Sequence, residues 1–350
     1  MKAVVQDRYG SPDTLAIGHV PQPVPAGKQV LVRVHAAAVN AYDWHVMRGD
    51  PYLARVMLPS VFGRSGPRNR IRGRDFAGQV EAVGKDVTRF RPGDEVYGDL
   101  GDDNGAFAEY VCVSEEMAER KPANLSFEQA AAIPLAGNTA LMGLRDVAGV
   151  KPGQKVLING ASGGVGTFAV QLATVFGAEV TGVCSTRNID LIRSLGAGHV
   201  IDYTKEDFTR NGQRYDVVFD LVGNRTLSEC RRALSPAGAL VLSGGGASHG
   251  VSLIGPMGVI LKAQMLAPFV RRHRLRVLTT APRKENLAAL RELAESRAIA
   301  PVIDRTYPLS EVPEAIRYLE GEHARAKVVI IPCARPTGDE RRERAQGSRT

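Results

Sequence analysis

Short apolar runs separated by turn residues make up the first third of the chain. Gly, Pro, Asn and Asp stand between the runs, a pattern typical of strands joined by tight turns. The predicted strands cover residues 1–6, 29–38, 76–84, 95–99 and 107–113. We therefore expect a compact, mostly β unit over residues 1–123.

Helical periodicity then begins. It predicts helices over residues 126–132 and 137–147, and Ser126 with Gln129 three residues later forms the sequence pattern of a capping box. From residue 155 apolar strands alternate with amphipathic helices, which predicts an α/β unit with a doubly wound parallel sheet, the Rossmann arrangement. The strands are expected over 156–159, 180–184, 199–203, 217–221 and 239–243, and the helices over 165–176, 189–195 and 226–234.

Residues 275–279 and 284–297 supply a sixth strand and its helix. After residue 298 the pattern returns to β, with runs at 301–307 and 327–331 around a helix at 310–320. If the last run pairs with the N-terminal unit, the first domain is discontinuous. We predict domains over 1–123, completed by about 298–333, and over 124–297, followed by a disordered tail over 334–350.

Composition favours a protein of two ordinary domains. The chain has 350 residues, is 44% hydrophobic and contains 37 glycines. No apolar run reaches the ~20 residues that a membrane-spanning helix needs, and the N-terminus enters a strand directly, so we expect a cytoplasmic protein. Four widely separated cysteines argue against structural zinc and against a disulfide framework.

The net charge of +8 and the isoelectric point of about 9.4 leave a polyanionic partner open. Part of the excess positive charge lies in residues 335–350. Another part lies in residues 64–74, where a loop is expected, and this loop is either a solvated surface or an attractor of an anionic ligand. Its arginines are Arg64, Arg68, Arg70, Arg72 and Arg74.

A glycine-rich turn follows the strand that ends at Asn159. Glycine at the turn allows a phosphate to approach the backbone, and the helix that follows directs free N–H groups at the anion. The first glycine of the dinucleotide pattern is replaced by Ala161. The turn predicts a pyrophosphate site formed by Ala161, Ser162, Gly163, Gly164, Val165 and Gly166.

The end of the second strand of this unit predicts the cofactor. An NAD site usually carries Asp or Glu there, whereas this chain has Ser185, Thr186 and Arg187. Two hydroxyl donors and a guanidinium suit a 2′-phosphate, so NADPH is favoured over NADH, although Arg187 could instead be a solvated residue at a helix start. Tyr203, which closes the third strand, could lie against the ribose or adenine or be structural.

Several sequence blocks, in the same order, resemble the medium-chain dehydrogenase/reductase superfamily. The similarity is to its zinc-independent quinone oxidoreductases, which include zeta-crystallin-like and reticulon-interacting-protein-like enzymes, and it covers residues 1–333. It implies a GroES-like β-rich domain beside a Rossmann domain. The matching blocks are residues 39–43, 73–78, 92–96, 105–110, 136–140 and 161–166.

The resemblance also implies the chemistry. The positions that hold catalytic zinc in metal-dependent relatives correspond to Asn40, Arg74 and Leu135, and the four-cysteine lobe is missing, so we expect no metal. The implied reaction is hydride transfer from NADPH to a quinone or to the double bond of an α,β-unsaturated carbonyl compound.

Asn40, Tyr42 and His45 lie in the segment that resembles the active-site loop of the family. Any of them could orient the acceptor, donate a hydrogen bond or supply a proton, although His45 could equally be a surface residue. Asp43 is expected to fix the loop, and Asp75 to pair with an arginine.

The resemblance places further residues around the cofactor. Thr139 is expected beneath the nicotinamide ribose, and Lys327 either approaches the 2′-phosphate or is a charge at a strand edge. The ends of the fourth and fifth strands are expected to border the nicotinamide. Those residues are Leu221, Val222, Gly223, Ser243, Gly244 and Gly245.

Two other functions stay open at this point. One is an enoyl reductase acting on acyl chains linked to CoA or to a carrier, with residues 64–74 as the docking surface. The other is a weakly catalytic NADPH-binding sensor or RNA-binding protein, for which the basic charge is the only support. Residues 274–281 could form an edge strand that joins two copies in a homodimer.

Overall fold

A computed structural model describes residues 1–63, 66–243, 263, 265, 273–321 and 324–332. Two larger sheets and one small hairpin account for its strands. The hairpin pairs β1 (Lys2–Gln6) with β2 (Leu15–His19), a strand that the sequence pattern did not predict. The C-terminal tail over 334–350, Gly244 and Gly245 fall outside the described residues.

The first sheet has seven strands built mainly from the N-terminal third. Its order is β14-β15-β3-β4-β5-β7, with β6 also paired to β3. The strands are β3 (Gln29–Val39), β4 (Asp75–Val83), β5 (Glu95–Asp99), β6 (Tyr110–Ser114), β7 (Ala118–Arg120), β14 (Ile303–Pro308) and β15 (Lys327–Ile331).

The C-terminal strand β15 pairs antiparallel with β3, with Val328 opposite Val39. Three sheet strands, β3, β4 and β15, therefore have buried ends close together: Val39 and Asn40, Asp75, and Lys327. The chain returns to its own N-terminal sheet, as the sequence suggested. The domain boundaries proposed above stay a prediction.

The second sheet is parallel throughout and has the order β10-β9-β8-β11-β12-β13. Its central strand β8 lies between β9 and β11, so the chain reverses direction across the sheet there, and ligands of such sheets bind at this point. The strands are β8 (Lys155–Asn159), β9 (Glu179–Cys184), β10 (His199–Asp202), β11 (Tyr215–Asp220), β12 (Leu234–Leu242) and β13 (Arg274–Val277).

The α-helices lie close to the predicted positions from residue 126 onward. The predicted helix over 137–147 is α5, which continues as a π-helix over Met142–Ala148. The helices are α1 (Ala41–Arg48), α2 (Tyr52–Met57), α3 (Pro59–Phe62), α4 (Phe127–Ala131), α5 (Pro134–Leu141), α6 (Gly164–Val175), α7 (Ile189–Ser194), α8 (Leu227–Arg232), α9 (Lys284–Glu295) and α10 (Val312–Gly321).

Helix α1 corrects the expectation of a loop over residues 40–45. Its N-cap is Asn40, whose backbone N–H donates to Asp43 Oδ2 at 2.7 Å, and Gly49 ends it in the left-handed conformation. The pattern of Asn followed three residues later by Asp, with a glycine after the last turn, is a helix signal in the sequence.

One apolar core joins the two sheets. Ala36, Ala38 and Tyr97 of the first sheet belong to the same buried cluster as helix α6 and the parallel strands. The Tyr97 hydroxyl donates to the carbonyl of Leu287 in α9 at 2.6 Å. Because this interface is packed like an interior, the two sheets are held in a fixed arrangement. None of the described helices has the length and apolar character to cross a membrane.

Candidate active site

The glycine-rich turn joins β8 to α6. Gly160 has φ of 86°, Gly163 is the N-cap, and α6 begins at Gly164. A Cβ on Gly166 would lie 2.1 Å from the carbonyl oxygen of Gly160, so the protein itself requires glycine there. A Cβ on Gly163 would meet nothing closer than the Gly160 carbonyl oxygen at 3.5 Å, so the protein itself does not require glycine there. The turn therefore fits a dinucleotide pyrophosphate.

A 3-10 turn over Thr186–Asn188 follows β9 and holds the predicted phosphate residues. The Thr186 hydroxyl donates to Asp202 Oδ2 at 2.5 Å, and this bond is the main reason that the pKa of Asp202 falls to about 2. The single hydroxyl proton of Thr186 is therefore already hydrogen-bonded within the protein. This bond favours Ser185 over Thr186 as the hydroxyl donor, and the cofactor roles of Ser185, Thr186 and Arg187 stay predictions.

Asn188 links this turn to the glycine-rich turn, because its Nδ2 lies 3.1 Å from Ser162 Oγ and 3.2 Å from Ser185 Oγ. Sequence reasoning missed this residue, since an asparagine near a helix start is ordinary. Tyr203 directly follows β10 and is 46% exposed, so its ring is accessible at the same sheet edge.

Asp220, at the end of β11, organises the loop expected near the nicotinamide. Its Oδ1 accepts hydrogen bonds from the backbone N–H groups of Val222 and Gly223, both at 3.0 Å, and from Asn159 Nδ2 at 2.9 Å. Ser243 donates its N–H to the Asp220 carbonyl at 2.9 Å. The ends of β8, β11 and β12, including Leu221, are thus held together at one edge of the sheet.

Thr139 lies in α5, where its hydroxyl donates to the Leu135 carbonyl at 2.7 Å. Its Oγ1 is also 3.2 Å from Thr280 Oγ1, beyond the end of β13. Neighbouring Asn138 fixes the same segment through a 2.8 Å bond from Nδ2 to the Ala281 carbonyl. Thr280 was missed in the sequence, because only tertiary contact brings it to Thr139.

A buried polar cluster lies where β3, β4 and β15 meet. Lys327 Nζ donates to Asn40 Oδ1 at 2.5 Å and to Asp75 Oδ2 at 3.3 Å, while Asn40 Nδ2 donates to Asp75 Oδ2 at 3.0 Å. Asp75 Oδ1 accepts from the N–H of Leu135 at 3.0 Å. Asp75 thus pairs with a lysine and not with the expected arginine, and Lys327 is a buried ion-pair member, which corrects the reading of it as a strand-edge charge.

Burial is the main cause of the pKa shifts of two carboxyl groups in this region, Asp75 and Asp43. Desolvation raises the pKa of Asp75 to about 6 even though Lys327 opposes the shift. Desolvation also raises the pKa of Asp43 to about 7, and its Oδ1 has no hydrogen-bond partner. Asp43 contributes to the start of α1 through Oδ2, in keeping with the structural role expected of it.

Tyr42 lies in the first turn of α1. Its hydroxyl is 3.2 Å from Asp102 Oδ1, and the Arg74 guanidinium lies 4.5 Å from its ring centroid. Burial, followed by the charge of Asp102, raises the pKa of Tyr42 to about 12, so the phenol keeps its proton at neutral pH. Tyr42 can donate to a ligand only by releasing Asp102.

His45 lies one turn further along α1 and stacks on Trp44 with ring centroids 3.6 Å apart. Its side chain is half-buried, and desolvation lowers its pKa, with Asp50 opposing the shift. The imidazole is therefore neutral at physiological pH, and its hydrogen bond to the Asp50 backbone already engages its single N–H within the protein.

The arginine-rich segment is only partly a solvated loop. Arg72 is 1% exposed and Arg74 is 5% exposed, and Arg74 forms two 2.8 Å bonds to Asp99. Arg70 pairs with Asp7 at the surface. Because they are buried, Arg72 and Arg74 cannot serve as a docking surface for an acyl carrier. Arg64 lies outside the described residues.

The resemblance relates the zinc ligands of metal-dependent relatives to Asn40, Arg74 and Leu135 of this chain. The Asn40 oxygen accepts from an ammonium and Arg74 is a cation, so these side chains do not form a ligand set for Zn²⁺. Over the part of the chain that the structure describes, no group of three or more His, Cys, Asp or Glu residues could hold a metal ion.

Comparison with known proteins agrees with the fold described above. A family model described as an alcohol dehydrogenase GroES-like domain matches residues 26–123, and one described as a zinc-binding dehydrogenase matches residues 195–330. The chain is 33% identical to the chloroplastic quinone-oxidoreductase QR1 of Triphysaria versicolor over 344 residues, which cover 95% of this chain and 98% of that protein.

Two further proteins are similar over nearly the whole chain. The chloroplastic NADPH-dependent alkenal/one oxidoreductase of Arabidopsis thaliana is 34% identical, over 95% of this chain and 80% of that protein. The solved structure of a quinone oxidoreductase from Coxiella burnetii superposes with a TM-score of 0.82 at 33% identity, over 95% of this chain and 99% of that one.

Proposed function

The chain belongs to the zinc-independent quinone oxidoreductase branch of the medium-chain dehydrogenase/reductase superfamily, and we propose that it reduces quinones or the double bond of α,β-unsaturated carbonyl compounds with NADPH. One observation carries the proposal. The Lys327 side chain lies against Gly164 of the dinucleotide turn and its ammonium reaches Asn40, so one side chain connects the cofactor turn to a candidate acceptor residue. NADPH supplies the hydride when it is bound.

The Gly163 turn and the N-terminus of α6 would hold the pyrophosphate, and Ser185 and Arg187 would hold the 2′-phosphate. Thr139 and the loop fixed by Asp220 would border the nicotinamide, and Tyr203 would cover the adenosine. This assignment is supported by the hydrogen bonds that gather these segments at one edge of the parallel sheet.

At the acceptor side, the three candidate residues differ in hydrogen-bonding capacity. Both Asn40 Nδ2 protons are engaged, on Asp75 and on the Ala38 carbonyl, so Asn40 would act through its oxygen as an acceptor. The neutral His45 and the protonated Tyr42 would be the donors to the developing enolate or quinol oxygen, and each would first have to release its partner in the protein, the Asp50 backbone for His45 and Asp102 for Tyr42.

The activity can be tested with purified full-length protein, NADPH and a panel of quinones and enones, following the loss of nicotinamide absorbance. We expect turnover with at least one acceptor, and preference for NADPH over NADH. No turnover with any acceptor of either class would overturn the proposal, and tight RNA binding in its place would favour the nucleotide-binding alternative.

We also propose that the protein is cytoplasmic and forms a homodimer through β13. This strand is at the edge of the parallel sheet, and among the described strands only β12 pairs with it. A second copy could extend the sheet across this edge by main-chain hydrogen bonds.

A further inference from the structure

The ion pair between Lys327 and Asp75 is among the most deeply buried in the protein. The two side chains are 2% and 0% exposed, and Nζ lies 3.3 Å from Oδ2. Ion pairs at this depth are costly to desolvate unless further hydrogen bonds complete them. Here the additional bonds go to Asn40, at 2.5 Å from Lys327 and 3.0 Å from Asp75.

These contacts determine which way the Asn40 amide faces. Its oxygen accepts from the ammonium, and its nitrogen donates to the carboxylate and to the Ala38 carbonyl. If the amide turned over, its oxygen would face the carboxylate and its NH₂ group would face the ammonium, so both contacts would become repulsive. The ion pair therefore sets a single orientation of the amide.

The same pair connects Asn40 to the elements that carry the candidate cofactor residues. Asp75 begins β4 and accepts the N–H of Leu135 at the start of α5, the helix that carries Thr139. Lys327 begins β15, and a Cβ on Gly164 would lie 3.0 Å from its Cδ. Both charges are thus placed between the dinucleotide turn and the N-terminus of α1.

We propose that Lys327 and Asp75 are positioning residues that fix the Asn40 amide, with its oxygen toward the ammonium, at the acceptor side of the cleft. Lys327 takes no part in recognising the cofactor 2′-phosphate, because its ammonium is committed to Asn40 and Asp75. This inference rests on the proposed function for the meaning of the acceptor side. The orientation of Asn40 can be tested without turnover.

The kinetic test uses Lys327→Met in the full chain. We expect kcat to fall about tenfold or more, because small displacements of a positioned group reduce rate strongly, while the ratio of NADP⁺ to NAD⁺ affinity stays within about twofold of wild type. Lys327→Arg retains donors for Asn40 and should recover part of the loss. A tenfold fall in that affinity ratio with kcat unchanged would overturn the proposal and return Lys327 to the phosphate.

Lys121→Met is the matched control. Lys121 is also buried, at 6% side-chain exposure, and lies 3.2 Å from Glu95, yet it touches none of the candidate site residues. We expect it to lower stability and leave kcat unchanged. An equal fall of kcat in both variants would mean that loss of a buried lysine acts through the fold alone.

A spectroscopic readout separates the two proposals. In protein labelled with ¹⁵N-asparagine, the Asn40 side-chain amide is identified by its loss in Asn40→Asp, and we expect Lys327→Met to shift it and speed its exchange with solvent. Should Lys327→Met fold poorly, Asp75→Asn with Lys327→Met removes both charges and is expected to shift it likewise. An unmoved resonance in the folded variants overturns the positioning role, whereas a shift without any wild-type reductase activity removes only the proposed function.

Discussion

At the residue scale, buried charge is concentrated at the N-terminus of α1. Asp43, Asp75 and Lys327 are within two residues of a strand or helix end, and all three are almost fully buried. Charges are buried where they can be paired or can hold a proton, because an isolated ion in a protein interior is costly. Lys327 is paired with Asp75, whereas Asp43 keeps one oxygen without a partner.

Asp43 should make stability depend on pH. Its native pKa of about 7 is above its ordinary value of 3.8, so the native carboxyl binds a proton between these values and the unfolded one does not. The free energy of unfolding should therefore fall as pH rises through this window, by up to about 1.4 kcal/mol per pH unit from this group, and level off above it.

The amide side chain in Asp43→Asn cannot ionise, so the free energy of unfolding should fall less with pH in this variant. Its amide oxygen can still accept the Asn40 N–H. Urea unfolding at pH 5 and pH 8 measures the difference. Asp190→Asn, at a fully exposed position, is the control and should behave as wild type. The same difference between pH 5 and pH 8 in wild type and Asp43→Asn would show that the carboxyl ionises normally.

Arg187 tests the cofactor preference at a single side chain. A guanidinium bonded to a phosphate contributes roughly 1.5–3 kcal/mol, so Arg187→Ala should weaken NADPH binding by about 10- to 100-fold and NADH binding by less than about twofold. Titration of both cofactors measures this. Arg193→Ala, an exposed arginine in α7, should change neither affinity, and equal losses for both cofactors in Arg187→Ala would remove its phosphate role.

At the element scale, the turn between β8 and α6 uses glycine for two different reasons. Gly166 is required by the fold, since the helix packs directly on the Gly160 carbonyl. Gly163 has ordinary backbone angles, and a Cβ there would make only an ordinary contact, 3.5 Å from the Gly160 carbonyl oxygen. A methyl group there would matter only to a ligand that approaches the turn.

Substitution by alanine should separate the two roles. Gly163→Ala should keep the melting temperature of wild type and weaken NADPH binding by about tenfold or more, since a methyl group would stand where the phosphate approaches. Gly166→Ala should unfold at a clearly lower temperature. Gly198→Ala, where the nearest atom is 4.0 Å from the added Cβ, is the control for both readouts. Unchanged NADPH affinity in Gly163→Ala would place the pyrophosphate elsewhere.

At the scale of the whole molecule, the return of β15 to the N-terminal sheet brings together residues that are far apart in the chain. β15 supplies Lys327, and Asn40 and Asp75 come from the ends of β3 and β4. The dinucleotide turn comes from the parallel sheet, so both sheets contribute to the candidate site. We propose that a second copy pairs with β13, an edge strand of the parallel sheet.

Val277→Pro tests that dimer. The N–H of Leu278 donates to the Leu242 carbonyl, so the N–H of Val277 points away from β12 by the alternation of a strand. Proline there removes a bond to a partner strand, and sedimentation should show a change from about twice 37.6 kDa to the single-chain mass. Val277→Thr keeps the N–H and should remain a dimer. A wild-type protein that sediments as a single chain would contradict the dimer.

Much of the fold could be predicted because its signals are local. The strand over residues 95–99, the strand over 327–331 and the capping box at Ser126 were all found at the predicted positions. The helix at Ala41–Arg48 was missed although its cap was visible, because the resemblance had suggested a loop there. Thr280 and Asn188 gave no local signal.

The sequence by itself determined the alternation of strands and helices, the glycine turn and the family, since these depend on neighbours along the chain. Only the tertiary structure decided what the charged residues do. Asp75 pairs with a lysine 252 positions away, and Thr186 donates to Asp202 across adjacent strands. Such partners are chosen by burial, because a charge removed from water must find its counterpart among whatever the fold brings within reach.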